Sequence, residues 1–367
     1  MQVSTIHITF FSALLSAIMS AVLVPLILRL SHRFGWYDVM DYRKVHTEDV
    51  PRLGGVALFW GFFVCQLVLA FGLGIIPLSS PLLFLLVGFL FIHLLGLVDD
   101  FRNIPALGKL LGQIAAGVFV VIGGAQIRGI ELPLASSALD FSIWAGPITV
   151  FWLISISNAI NLIDGVDGLA GGISLIAAAS MGIIHVVNGN VIGVLYSFTL
   201  VGAAAGFLVF NHPKARIFMG DSGSLFLGFA LGSLLFLEDP GFAGIHLTSR
   251  AFLLPSITIL LLPIFDTVAS ILRRIRQGRP IHSPDREHLH HKLLDFGFSV
   301  RYILLLECSI TAISGAAAVF WAVSRISDRI PVVAGEIVMV CSWVFVGGFF
   351  VLVHFLNSRR KRLAEAE

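Results

Sequence analysis

Charge is what this sequence lacks. Asp, Glu, Lys and Arg make up 13% of its 367 residues, whereas 57% are hydrophobic. Soluble domains average about a quarter charged, so this composition excludes a water-solvated fold and makes a bilayer the solvent. Cysteine is scarce too. Cys65, Cys308 and Cys341 each lie in an apolar segment, which excludes a disulfide framework and a thiolate metal site. No Lys or Arg precedes the first apolar run, the earliest being Arg29. A secretory leader opens on positive charge, so residues 6–30 are expected to stay as a span. Internal repeats and low-complexity tracts are absent, and a net charge of +2 gives no reason to expect a nucleic-acid partner.

What remains is a series of apolar segments. A span needs about 20 apolar residues. Segments near 6–30, 54–74, 81–98, 107–124, 143–160, 169–187, 191–210, 222–237, 251–271, 302–324 and 332–356 qualify. The reading is an all-α, polytopic integral membrane protein of about 11 transmembrane helices, folded as one domain over 1–367. Counting alternate sides leaves Arg128, Arg250, Arg325 and Arg329 as the minority among the 24 basic residues. By the positive-inside rule the majority side is cytoplasmic. The N-terminus is then outside and the C-terminus inside, and the cytoplasmic loops are 31–53, 99–108, 161–168, 211–221 and 272–301. The outer loops are short, so function is expected on the cytoplasmic face.

Those loops carry the polar residues. In "NAINLIDGVDGLAGG", Asn158, Asn161, Asp164 and Asp167 recur every three residues, one polar stripe if the helix persists. With Asp99, Asp100 and Asp221 the cytoplasmic boundary holds five carboxylates. Carboxylates brought together need a divalent cation or raised pKa values. Oxygen ligands without cysteine favour Mg²⁺ or Mn²⁺ over Zn²⁺, and Mg²⁺ completes its shell with water and substrate phosphates. The last loop adds His288, His290 and His291 beside Arg279, Arg286 and Lys292, donors suited to phosphate. A transporter would instead place acids near mid-membrane and show paired halves. A prenyltransferase with aspartate-rich motifs would have no use for the histidine loop.

Four motifs in order, "LVDD", "NLIDGVDGL", "FMGDSGSLFLG" and "PDREHLHH", resemble those of the polyprenyl-phosphate N-acetylhexosamine-1-phosphate transferases, the family of MraY and of the WecA/TagO branch. "HLHH" and "DYRKVHTEDVPRLGG" are more similar to the WecA/TagO branch. The resemblance implies transfer of a sugar 1-phosphate from a UDP-N-acetylhexosamine to undecaprenyl phosphate, with release of UMP, in the bacterial inner membrane. It favours UDP-N-acetylglucosamine over UDP-MurNAc-pentapeptide and is compatible with a homodimer. It also implies residue roles. Asp221 would be a Mg²⁺ ligand, and Asn161 and Asp164 would line the diphosphate or metal site with Asp167 beside them. Asp99 and Asp100 would handle the acceptor phosphate, either by deprotonating it, with Asp99 as base, or by forming a phospho-enzyme. His288, His290 and His291 would serve the donor phosphates or sugar with Arg286, Asn211 and Phe218 would line the nucleotide site, and Lys109 would meet a phosphate. Lys44 and His46 are left without a role. Asp266, Glu307, Glu336, His93, His185 and Arg359 to Arg362 read as structural, paired or anchoring residues.

Overall fold

The computed structural model describes residues 2–37, 50–76, 79–133, 138–237, 252–281, 283 and 287–366. Apolar runs that satisfy their own backbone hydrogen bonds are what a bilayer demands, and most of these residues are helical. In chain order they form α1 (Gln2–Phe34), α2 (Gly54–Leu67), α3 (Ser80–Arg102) and α4 (Ala106–Ile122). A hairpin of β1 (Gly129–Glu131) and β2 (Ala138–Asp140) precedes α5 (Ala145–Ile163), α6 (Leu169–Val187), α7 (Val191–Asn211) and α8 (Gly220–Ser233). Then come α9 (Leu253–Ile259), α10 (Leu261–Arg276), α11 (Leu289–Asp295), α12 (Val300–Ile326) and α13 (Val332–Ala366).

The chain is an all-α, multi-pass membrane protein. Among the described residues, nine helices are long and apolar enough to cross a bilayer. Each of the eleven expected segments coincides with helix, but two depart from a simple span. The segment near 251–271 is broken at Leu260, where α9 and α10 meet at 78°. Pro263, in the first turn of α10, has no N–H to return to Ile259, so the ladder cannot run through. The segment near 107–124 is the 17-residue α4, about 25 Å long against a hydrocarbon core of about 30 Å.

Helix α8 is the axis of the bundle. In Gly220–Leu237, 89% of the apolar window is buried, against 22% in the window of the α13 span. Small residues admit the neighbours this closely, as in lipid-embedded packing generally. A Cβ at Gly55 would fall 2.2 Å from the Gly223 nitrogen, one at Gly96 2.4 Å from the Asp221 carbonyl, and one at Gly228 2.5 Å from the Ile156 carbonyl. Helices α2, α3 and α5 therefore touch α8 backbone to backbone. Polar atoms seal the contact: Trp152 Nε1 donates to the Gly232 carbonyl at 2.9 Å, and Ser157 Oγ to the Leu225 carbonyl at 2.8 Å. Gly202 and Gly206 of α7 meet Ala13 and Ala17 of α1 in the same way. At the other end of α4 and α5, the hairpin is tied to α12 by an ion pair between Glu131 and Arg325.

Candidate active site

The first turn of α8 is where the motifs converge. The "LVDD" segment ends α3, and its Asp100 carboxylate accepts from the backbone N–H groups of Asp221 at 2.8 Å and Ser222 at 3.0 Å. A helix start leaves such N–H groups without partners, so Asp100 is a cap supplied by a neighbouring helix. Gly220, at φ +70°, makes the approach possible: a Cβ there would sit 2.2 Å from the Arg52 carbonyl and 2.8 Å from both Asp100 oxygens. The chain before α2 closes the same turn from the other side. Phe218 N donates to the Pro51 carbonyl at 2.7 Å, while Gly54 N and Gly55 N donate to Phe218 and Met219.

Asp99 turns away from this cap. Its Oδ1 accepts from Ile104 N at 2.6 Å, and its Oδ2 lies 2.7 Å from Lys109 Nζ. Lys109, near the start of α4, also lies 3.2 Å from Asp221 Oδ1. Asn161, near the end of α5, donates to that same Asp221 oxygen and to Ser224 Oγ at 2.8 Å. Four helices thus deliver Asp99, Lys109, Asn161 and Asp221 to one centre.

The expected stripe of Asn158, Asn161, Asp164 and Asp167 does not form, because α5 stops at Ile163. Asn158 pairs amide to amide with Gln113 of α4 at 2.9 and 3.1 Å. Asp164 begins the loop, where burial and then the charges of Asp221, Asp100 and Asp167 push its carboxyl well above the usual range. Asp167 Oδ2 accepts from Ala215 N at 2.9 Å. Asn211 is buried and uses both ends of its amide on backbone, accepting from Gly168 N at 3.1 Å and donating to the Ile217 carbonyl at 2.8 Å. Its visible work is to bind the 165–168 loop to the 212–217 loop. Phe218 is partly buried beside it.

Helix α11 brings the histidines to the same loop. A Cβ at Gly165 would lie 2.7 Å from His290 Nε2, so the glycine opens the space that the imidazole needs. His290 is 1% exposed. Burial, reinforced by His291 and His288 and opposed by Asp266, lowers its pKa to about 3, which leaves it neutral near pH 7. His290 and His291 have ring centroids 4.4 Å apart, and His288 lies parallel to His290 at 5.7 Å. Arg286, Lys44 and His46 fall outside the described residues.

The anchor of this helix is a residue that the sequence marked only as structural or paired. Asp266 of α10 is buried, accepts from His288 Nδ1 at 2.7 Å and from Leu289 N at 2.9 Å. It orients the first histidine and caps α11 together. An isolated Asp in the apolar run "LPIFDT" gave no periodic or motif signal, although a carboxylate within a span is itself a reason to look for a partner. Glu307, expected near an interface or in a pair, is instead buried in α12 with Oε1 making no hydrogen bond.

Comparison with known proteins places this geometry. The glycosyl transferase family 4 profile matches residues 82–238, which contain the Asp99, Asn161 and Asp221 segments. A Bacillus subtilis protein named probable undecaprenyl-phosphate N-acetylglucosaminyl 1-phosphate transferase is 35% identical over 323 residues, 86% of each chain. The chain belongs to the polyprenyl-phosphate N-acetylhexosamine-1-phosphate transferases. A Mycobacterium tuberculosis (strain H37Rv) relative, decaprenyl-phosphate N-acetylglucosaminephosphotransferase, is 33% identical over 334 residues, 84% of this chain and 81% of its own. An Escherichia coli (strain K12) relative, undecaprenyl-phosphate alpha-N-acetylglucosaminyl 1-phosphate transferase, is 28% identical over 291 residues, 76% of this chain and 74% of its own. These relatives agree with the WecA/TagO branch. In this transferase the family profile stops short of the histidine helix, yet Gly165 seats that helix against a motif inside the profile.

Proposed function

We propose that the chain transfers N-acetylglucosamine 1-phosphate from UDP-N-acetylglucosamine to undecaprenyl phosphate, yielding undecaprenyl-diphospho-N-acetylglucosamine and UMP, the first membrane step of a cell-surface glycan. The observation that carries this reading is the meeting of Asp99, Lys109, Asn161 and Asp221 at the ends of four apolar helices, where a lipid phosphate and a soluble nucleotide can both arrive. The names of the relatives support the sugar and the acceptor class. Another UDP-N-acetylhexosamine is the alternative donor. The distribution of Lys and Arg supports a site on the cytoplasmic face of the inner membrane, with the N-terminus outside.

The acid cluster suits Mg²⁺. Among the described residues no three His, Cys, Asp or Glu side chains form a cage for an ion. Mg²⁺ needs none, since one or two carboxylates with water and phosphates complete its shell. Asp221 and Asp164 are assigned to the metal by the resemblance of "MGDSGS" and "NLID" to the family's motifs; Asp100 is occupied by amides, and Asp221, like Asp99, also contacts Lys109. The ion, when bound, supplies neutralising charge to the diphosphate. Lys109 adds a point charge to the same phosphates. The acceptor phosphate oxygen attacks the sugar-bearing phosphorus, the bond to the UMP phosphate breaks, and UMP leaves; catalysis is positioning and charge stabilisation. Asp99 takes the proton of a monoanionic acceptor. A covalent path through Asp100 would have to surrender the cap of α8, which favours direct attack. His288, His290 and His291 are assigned to the donor phosphates and sugar, as Arg286 is by its motif, and Asn211 and Phe218 are assigned to the nucleotide.

The test is a membrane assay offering undecaprenyl phosphate with several UDP-sugars. UMP release should require lipid, prefer UDP-N-acetylglucosamine and stop on chelation. Release without lipid, or indifference to chelator, overturns the chemistry. Radiolabelled phospho-sugar retained on the enzyme without acceptor would overturn direct attack.

A further inference from the structure

Among the described residues, the buried polar groups outside the machinery described above include His185 near the opposite end of α6, Glu307 in α12 and His93 in α3. His93 is the one whose contacts reach the site. It is 1% exposed, and its Nδ1 lies 3.1 Å from the Ser222 carbonyl. Its ring stacks on Phe59 of α2 with centroids 3.9 Å apart and planes 5° apart. A carbonyl can only accept, so Nδ1 carries the proton.

The spacing gives this contact meaning. Phe89, His93, Gly96 and Asp100 recur at helical intervals and form one stripe of α3. Phe89 meets Phe226 edge-on at 5.9 Å, His93 donates to the Ser222 carbonyl, Gly96 makes room for the Asp221 carbonyl, and Asp100 accepts from the N–H groups of residues 221 and 222. The first turn of α8 is thus held by an acceptor on its N–H groups and by a donor on a carbonyl, both from α3. These opposed hydrogen bonds on successive peptide units leave little freedom for the turn to rotate. Asp221 stands on that turn. The Phe59 stack fixes the imidazole plane, so the donor direction is set by packing.

We propose that His93 is a positioning residue for the transfer reaction, its Nδ1–H holding the α8 turn that aims Asp221 at the metal and the diphosphate. This rests on the assignment of Asp221 above. His93 touches no substrate; it acts through the turn.

Amide replacements separate a donor from a filler. The Asn side-chain nitrogen stands near where Nδ1 does, so His93→Asn keeps a donor, whereas His93→Phe keeps the stack and loses it. In full-length enzyme in membranes, His93→Phe should lower kcat about tenfold, the scale of one buried hydrogen bond, with the KM for UDP-N-acetylglucosamine within twofold. His93→Asn should recover most of the loss. The second readout uses no substrate. The Mg²⁺ concentration giving half-maximal thermal stabilisation of the detergent-solubilised protein should rise severalfold in His93→Phe and return in His93→Asn. Equal impairment of both variants, or wild-type behaviour of His93→Phe, overturns the proposal. If His93→Phe does not fold, His93→Gln takes its place, its amide reaching past Nδ1 and predicting the same deficit. If the wild type shows no Mg²⁺ response and Asp221→Asn keeps turnover, the metal assignment fails instead, and the kcat pattern of the His93 variants still decides whether the donor matters.

Discussion

The carboxylate of Asp100 and the backbone amide of Asp221 are 2.8 Å apart, although 121 residues separate them in the chain. That bond makes the two acids of "LVDD" unequal. Asp100 caps α8 with both oxygens, whereas Asp99 pairs with Lys109.

Asp100→Asn should therefore behave as a structural lesion with a catalytic consequence. One amide oxygen can still accept, but the new NH₂ must face an N–H group. Loss of a cap costs about 0.5–2 kcal/mol. The expected outcome is a lower unfolding temperature together with reduced kcat. Asp99→Asn should reduce kcat with a smaller thermal penalty. Equal stability of wild type and Asp100→Asn would remove the cap.

Lys109 bridges Asp99 and Asp221, and removing the cation leaves two carboxylates facing each other. Lys109→Met should destabilise the protein and abolish most activity. In a double-mutant cycle with Asp99→Asn, the pair should couple by about 0.5–3 kcal/mol, because the second change removes the repulsion exposed by the first. Strict additivity in thermal unfolding would show that the 2.7 Å contact carries no energy.

Much of this was visible in the order of residues, for reasons that the structure makes concrete. Apolar runs long enough for lipid announced the helices, and the motif acids announced the ends that meet. What stayed hidden depends on pairs far apart in sequence. Gly96 and Gly165 look like ordinary glycines until α8 and His290 are packed against them. Asp266 finds its partner 22 residues on, at His288. The end of α5 at Ile163 defeats a three-residue rhythm that suits a continuous helix. The bend at Leu260 follows from Pro263, but an apolar window counts a proline without registering the N–H it removes.

Asp266→Asn tests the anchor of the histidine helix. Its amide cannot accept from both His288 Nδ1 and Leu289 N without turning an NH₂ toward one of them. Activity should fall about 10- to 100-fold, comparable to the loss of outer groups that orient ligand histidines. His288→Ala should cost a similar amount, and the double variant little more than either. Additive losses would show that Asp266 acts on something other than His288.

Acid and base should pull the site in opposite directions. Burial lowers His290 to about 3, below an unfolded value near 6.5. Its neutral form stabilises the fold above about pH 6.5, and that contribution is lost as pH falls toward 3. Asp164 has the reverse sign. Its folded carboxyl holds a proton well above the usual range, so it costs stability as pH rises above an unfolded value near 3.9. Thermal unfolding without Mg²⁺ should then show His290→Gln gaining on wild type as the medium becomes more acidic, and Asp164→Asn gaining as it becomes more alkaline. Mg²⁺ must displace the Asp164 proton in order to bind there. Its stabilising effect should therefore strengthen with pH in the wild type and less steeply in Asp164→Asn. A pH-independent Mg²⁺ midpoint in the wild type would take Asp164 out of the metal site and leave Asp221 alone among the carboxylates assigned to it.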